Sequence, residues 1–276
     1  GLRKHGASKG STISFLLSTP QTGVDSILVT FSLLGPLFAI YRPLTAFATG
    51  VIGGGLVNMF GQKKGEPAGP VEKCTDQCCG SQQNRISRGL KYGFITLPRD
   101  IGRDLLIGVA IAAAISAVVP ENFFAEYLGE GIIAMVVMMA LGIPVYVCAT
   151  ASIPIAAAMI VQGGLAPGAA LVFLMTGPAT NAASVVTIWR SMGTRTVLTY
   201  LLTVAGCAIG AGLLLNFIAA TGDFNIAEGP SRMLPRYIKD ISAVALLALL
   251  AYAIVSKKLK GKDHAAEHEH EHEEGE

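Results

Sequence analysis

Cys148 stands four residues before Ser152 in the stretch Gly142-Ile143-Pro144-Val145-Tyr146-Val147-Cys148-Ala149-Thr150-Ala151-Ser152-Ile153-Pro154. On a continuous helix the two would share a face and Thr150 would point away, unless the backbone unwinds between the prolines. A thiolate is a soft ligand suited to Cu(I), Zn(II) or trivalent arsenic, and hydroxyl and amide oxygens can complete a weak, transient site around it. The neighbouring Thr176-Gly177-Pro178-Ala179-Thr180-Asn181 supplies such oxygens. The competing reading makes Cys148 a small apolar packing residue.

A second polar turn, Thr19-Pro20-Gln21-Thr22, is related to the first. Residues 6–26 and 164–184 align without gaps at an offset of 158, pairing Gly6, Gly10, Phe15, Leu16, Pro20, Thr22 and Ser26 with Gly164, Gly168, Phe173, Leu174, Pro178, Thr180 and Ser184. Identities on Gly, Pro and Thr, which dictate backbone shape, point to a duplicated hairpin. Its arms are shorter than the roughly 20 residues of a spanning helix, so a re-entrant hairpin is expected. Thr22 with Ser26, and Thr180 with Ser184, would cap each second arm or line a path beside its positive end. Asp25 is the one carboxylate inside these apolar repeats; it could carry a proton or cation, or simply sit in the first turn of a half-helix. The matching position in the second copy is Ala183. Arg42 reads as a residue snorkelling to the interface.

Outside the apolar runs, Cys74, Cys78 and Cys79 place three thiols within six residues. They could capture a soft ion, although their spacing is not a zinc-finger pattern and incidental thiols are the alternative. At the C-terminus His264, His268, His270 and His272 alternate with glutamates, a tract that can buffer zinc or copper or be only a solvated tail. Gly53-Gly54-Gly55 is followed by no phosphate-loop lysine and serine, which removes a nucleotide site there. Histidines occur only at His5 and in the tail, so no Ser/His/Asp set exists, and no base accompanies the serines for hydrolysis.

The elements holding these residues are membrane helices. Of 276 residues 51% are hydrophobic and 14% charged, with mean hydropathy +0.53, against about 25% charged in soluble domains. The net charge of +2 suits no nucleic-acid partner. Abundant Gly and Ala allow close helix packing, and the alternation of a membrane β-barrel is absent. We expect four regions: residues 1–60, a first repeat cut at its start; 61–103, a cytoplasmic loop with the Cys cluster and an amphipathic helix over 85–103; 104–256, the remaining spans with the second repeat; and 257–276, a basic then His/Glu-rich cytoplasmic tail. Spans are expected over 36–60, interrupted at Arg42-Pro43, over 105–119, over a broken 131–161, over 196–218 and over 241–255. The basic segments 63–103, 190–195 and 257–262 fall on one side under the positive-inside rule, and the acidic segments 121–130 and 223–228 on the other. The same count inverts the two hairpins and leaves Arg3, Lys4 and Lys9 outside.

The motifs around Cys148 and Thr176 resemble those of the permease superfamily that includes the arsenical permeases. Gly6-Ala7-Ser8-Lys9-Gly10 and Ser18-Thr19-Pro20-Gln21-Thr22-Gly23-Val24-Asp25-Ser26 look like its first-repeat motif, and the cysteine loop and histidine tail are most similar to its copper/zinc efflux branch. The resemblance covers nearly all of residues 1–262 and implies a Cys-Ser-Cys-Gly-Val-Val-Pro segment just before the position of Gly1. It therefore implies an all-α polytopic inner-membrane protein of two inverted repeats. Its expected role is a secondary permease, not an enzyme, that exports copper or zinc without a permanently bound cofactor. The path would run by Cys148, Thr150, Ser152, Pro154, Thr176, Pro178, Thr180, Asn181, Thr19, Pro20, Gln21, Thr22, Asp25 and Ser26. The expected partners are the lipid bilayer and the metal ion, and a homo-oligomer is allowed. The alternatives are a permease for a trivalent arsenical or another small solute, and a membrane-anchored metal sensor or scaffold.

Overall fold

The computed structural model describes residues 7–60, 97–129, 131–143 and 148–221, with isolated positions 237, 241 and 244. The Cys74/Cys78/Cys79 loop and the histidine tail lie outside the described residues, as do residues 85–96 of the expected amphipathic helix. Two compact units are present, Gly1–Thr75 with Gly108–Met233, and Asp76–Ile107 with Leu234–Glu276. In the second unit the described segment is residues 97–107, which are helical.

Every described element is helical. The order is α1 (Lys9–Ser18), a 3-10 turn (Thr19–Gln21), α2 (Val24–Phe60), α3 (Leu97–Val118), α4 (Phe123–Leu128), α5 (Ile132–Gly142), α6 (Ser152–Val161), α7 (Pro167–Ala179), α8 (Ala182–Met192) and α9 (Thr194–Thr221). The two longest, α2 and α9, are long and apolar enough to cross a membrane. A third span results if α7 and α8, bent by 54° at their junction, are counted as one. Ile40, Leu44 and Phe47 on α2 are exposed to 64%, 61% and 66%. Three large apolar side chains at helical spacing on an outer face are stable against lipid rather than water.

Local chemistry sets the ends of the short helices. The Ser8 hydroxyl caps α1 by accepting from the Ser11 amide at 3.1 Å, and Asn181 Oδ1 caps α8 by accepting from the Ser184 amide at 2.8 Å. Pro167 opens α7, and Pro154 lies in the first turn of α6. At those positions the missing N–H would have had no helical acceptor anyway. Pro20 and Pro178 lie where the first arms end.

The expected break of the first span at Arg42-Pro43 is not observed. The helix continues through Pro43 and breaks instead at Gly35, which has φ 88 and ψ 178. That conformation is open to glycine and strained for other residues. Gly193, which separates α8 from α9, has φ 87 and ψ 167 and lies 158 residues further on. Two other pairs share this offset. A Cβ on Gly54 would stand 2.9 Å from the Gly10 carbonyl, and one on Gly212 would stand 2.8 Å from the Gly168 carbonyl. So α1 crosses α2 as α7 crosses α9, backbone against backbone, through paired glycines. Asn216, the counterpart of Asn58 at this offset, accepts from the Gly168 amide at 2.6 Å.

The expected division between an interfacial helix ending at Arg103 and a span starting near residue 105 is also corrected. Residues 97–118 form one uninterrupted helix, α3; Pro98 stands in its first turn, where the missing N–H has no helical acceptor, and no proline follows within it.

One hydrophobic cluster joins Leu34 and Phe38, on either side of the Gly35 break, to Met135 and Met138 of α5, Ile153 of α6, Leu171 and Leu174 of α7 and Leu215 of α9. A second joins Ile13 and Leu17 of α1 and Val57 of α2 to Ile188 and Met192 of α8 and Tyr200 and Val204 of α9. Helices of both halves thus share cores.

Candidate functional site

The span expected to be broken over 131–161 carries a turn at Cys148. Residues 148–151 form a turn, and α6 begins at Ser152. Two local bonds hold it: the Ala151 amide donates to Cys148 Sγ at 3.3 Å, and the Ser152 hydroxyl donates to the Ala149 carbonyl at 3.0 Å. Thr150 is therefore not turned away. It is buried, and its hydroxyl donates to Asp25 Oδ2 at 2.6 Å. A side chain on Gly108 of α3 would collide with the Ala151 carbonyl, so the absence of a Cβ there lets α3 back the turn closely. Cys148 is half-buried and free.

Arg42 does not snorkel. It is 1% exposed, with Nη1 donating to Ser26 Oγ and Thr30 Oγ1 at 2.9 Å each and Nη2 donating to the Ala149 carbonyl at 3.3 Å. Its Nε is buried without a partner. A guanidinium in an apolar core is tolerable only when hydrogen bonds and a counter-charge replace its water. Hydroxyls on the short arm of α2 and the Ala149 carbonyl provide the bonds. Snorkelling would have required a path from the helix to the interface, and this side chain instead folds back across the Gly35 break.

The two Pro-Thr turns meet. Gln21, buried, donates from Nε2 to the Met175 carbonyl in the last turns of α7 at 3.2 Å, leaving its Oε1 without a partner. Thr176 lies against α5, since a Cβ on Gly142 would stand 2.7 Å from its hydroxyl. In the second copy Tyr200, at the position matching Arg42, donates its hydroxyl to the Ala179 carbonyl.

The capping expectation for Thr22 and Thr180 is corrected. Thr22 Oγ1 donates to the Ser18 carbonyl at 3.1 Å and Thr180 Oγ1 to the Thr176 carbonyl at 2.8 Å. Both hydroxyls therefore close the end of the first arm, and Asn181 caps the second arm of the later copy. The reason is position: each Thr lies four residues after the carbonyl it bonds, within the last turn of the first arm, where a helical hydroxyl back-bonds to the i−4 carbonyl. Thr19 and Thr22 are exposed, whereas Ser26, Thr150, Ser152, Pro154, Thr176, Pro178 and Thr180 are buried. Asp25, Thr150 and Gln21 are thus brought to contacts between the halves, and Ser26 to Arg42 within the first. Among the described residues no three His, Cys, Asp or Glu side chains come together to hold a metal ion.

Arg42, Tyr200 and the Gly35/Gly193 pair were not expected as site or scaffold residues. The signal for the last was present, because the 158-residue offset continues beyond Ser26 to Gly35/Gly193, Gly54/Gly212 and Asn58/Asn216.

The family model described as a predicted permease, ArsP_1, matches residues 1–217. The chain belongs to this predicted-permease family. It is also 34% identical over 121 residues to a UPF0718 protein of Methanocaldococcus jannaschii, covering 44% of this chain and 33% of that protein. The chain spans about a third of the length of that curated relative. No solved structure matches it. Family and apolar helices together make it a membrane protein of a predicted-permease family.

Proposed function

We propose that the chain is a secondary permease of two inverted repeats that exports a soft metal ion, copper or zinc, from the cytoplasm by alternating access. The observation that carries this reading is the turn at residues 148–151 that precedes α6, held at Ala149 and Thr150 by residues of the first copy. Broken helices at membrane depth are stable where neighbouring groups satisfy their backbone, and such breaks at a repeat interface are where transporters bind their cargo. Matching backbone at Gly35 and Gly193 and matching Gly-Gly crossings support the duplication. In the proposed cycle the Cys74/Cys78/Cys79 loop and the histidine tail gather the ion on the cytoplasmic side of a bacterial inner membrane. It then passes by Cys148, with Thr150, Thr176, Thr180 and Asn181 as weak oxygen partners, and the copies rock to release it outside.

A second reading, export of a trivalent arsenical or another small solute, is favoured by one observation. Cys148 is not grouped with two further His, Cys, Asp or Glu side chains among the described residues, and one thiol is a sparse site for a bare metal ion. Everted membrane vesicles charged with copper, zinc or an arsenical, compared side by side, separate the two. Uptake of copper or zinc that is lost in Cys148→Ser supports the metal exporter. Unchanged metal uptake in that variant removes the thiol from the path, and uptake of the arsenical alone replaces the first reading by the second.

A further inference from the structure

We propose that Arg42 is a positioning residue, whose guanidinium fastens the two arms of α2 across the Gly35 break and, from the same planar group, holds the turn at residues 148–151 in place. Ser26 and Thr30 belong to the arm before the break and Arg42 to the arm after it. Nη1 bridges both hydroxyls at 2.9 Å while Nη2 reaches the Ala149 carbonyl at 3.3 Å. The adjacent Thr150 is gripped through its side chain by Asp25. The turn is therefore held at two consecutive residues, once by backbone and once by side chain, and both holds come from α2.

Two of the three acceptors have further partners. The Thr30 hydroxyl is engaged with the Ser26 carbonyl at 2.7 Å, and the Ala149 carbonyl already accepts from Ser152 at 3.0 Å. The guanidinium, in contrast, is left with its own Nε unpartnered at 1% exposure. A group that costs burial and leaves its own Nε orphaned is retained for what it ties together. Only a planar fork can reach three acceptors on two segments; an ammonium radiates its donors from a single atom. Tyr200, in the matching place, reaches one carbonyl of its own copy and ties nothing across. A change of angle at Gly35 must accordingly drag Ala149 or let it go, which couples the first copy to the thiol-bearing turn.

The inference rests on the exporter reading for its consequence in transport, but its test does not. In the full chain with Cys74, Cys78 and Cys79 replaced by Ser, the two remaining thiols are Cys148 and Cys207. Their labelling by a maleimide in membrane vesicles is followed site by site, with Cys207 on α9 reporting general loosening. Arg42→Met should speed Cys148 on the order of tenfold, as for loss of one charged hydrogen bond, with Cys207 unchanged. Arg42→Lys should give an intermediate gain, and it decides the matter if Arg42→Met does not accumulate. Equal acceleration of both thiols would assign Arg42 a general structural role and overturn the proposal. So would an unchanged Cys148 rate in whichever variant is folded. A parent chain that moves no copper, zinc or arsenical, yet shows the selective Cys148 response, would defeat the exporter reading and leave the positioning role standing.

Discussion

Residues 7–60 and 165–218 share a backbone plan and differ in what they put on it. Both have a glycine crossing, a proline-ended first arm with a Thr bonded back to its end, a short second arm and a left-handed glycine before the long helix. Yet Gln21, Asp25, Thr30 and Arg42 of the first copy correspond to Ala179, Ala183, Ile188 and Tyr200 of the second. The polar cluster is therefore concentrated in one copy, and it is aimed at the turn beside α6. The two segments share a frame, and Gln21, Asp25, Thr30 and Arg42 stand on the first of them alone.

The comparison is broken most severely at the crossings. Gly168→Val, whose first added carbon would meet the Gly212 carbonyl, should cost about 3 kcal/mol or more, since backbone cannot give way as a side chain can. Gly10→Val should cost a similar amount, and both are checked by the folded yield and melting temperature of detergent-solubilised protein. Equal losses support equivalent copies; a tolerated Gly10→Val shows that only the second crossing is tightly packed.

A smaller effect separates the copies. Thr150→Val and Asp25→Asn, combined in a double-mutant cycle, should show coupling of about 1.5 to 3 kcal/mol, the range for a hydrogen bond to a charged group. Coupling near zero by thermal unfolding would mean that the 2.6 Å contact does not join the halves energetically. Gly35→Ala and Gly193→Ala should each cost about 1 to 2 kcal/mol, because both force a Cβ into the left-handed region. A difference between them greater than about 1 kcal/mol would show that the two breaks carry different strain. Tyr200→Phe should be mildest, about 1 kcal/mol for one buried hydrogen bond. It should leave vesicle transport intact, in contrast to Arg42→Met.

Much of this was legible in residue types. The apolar runs announce membrane helices, the spacing of Gly10, Pro20 and Thr22 against Gly168, Pro178 and Thr180 announces two related segments, and Pro144 and Pro154 announce a break near Cys148. Arg42 was misread because the same residue can snorkel or be buried, and sequence distance to Ser26 and Thr30 does not reveal that a break at Gly35 folds one arm back toward the other. Thr22 and Thr180 were misread because a hydroxyl beside a proline can serve either the helix that ends or the helix that begins, and only the carbonyl positions choose.

By itself the sequence determined the helical class, the membrane setting and the punctuation of the chain, because hydropathy, glycine and proline act on their own neighbours. Tertiary structure decided which polar side chains meet. Asp25 finds Thr150, and Arg42 finds Ala149, only after α2 has bent and the helices have packed. A contact between residues more than a hundred positions apart depends on that whole path rather than on any local preference.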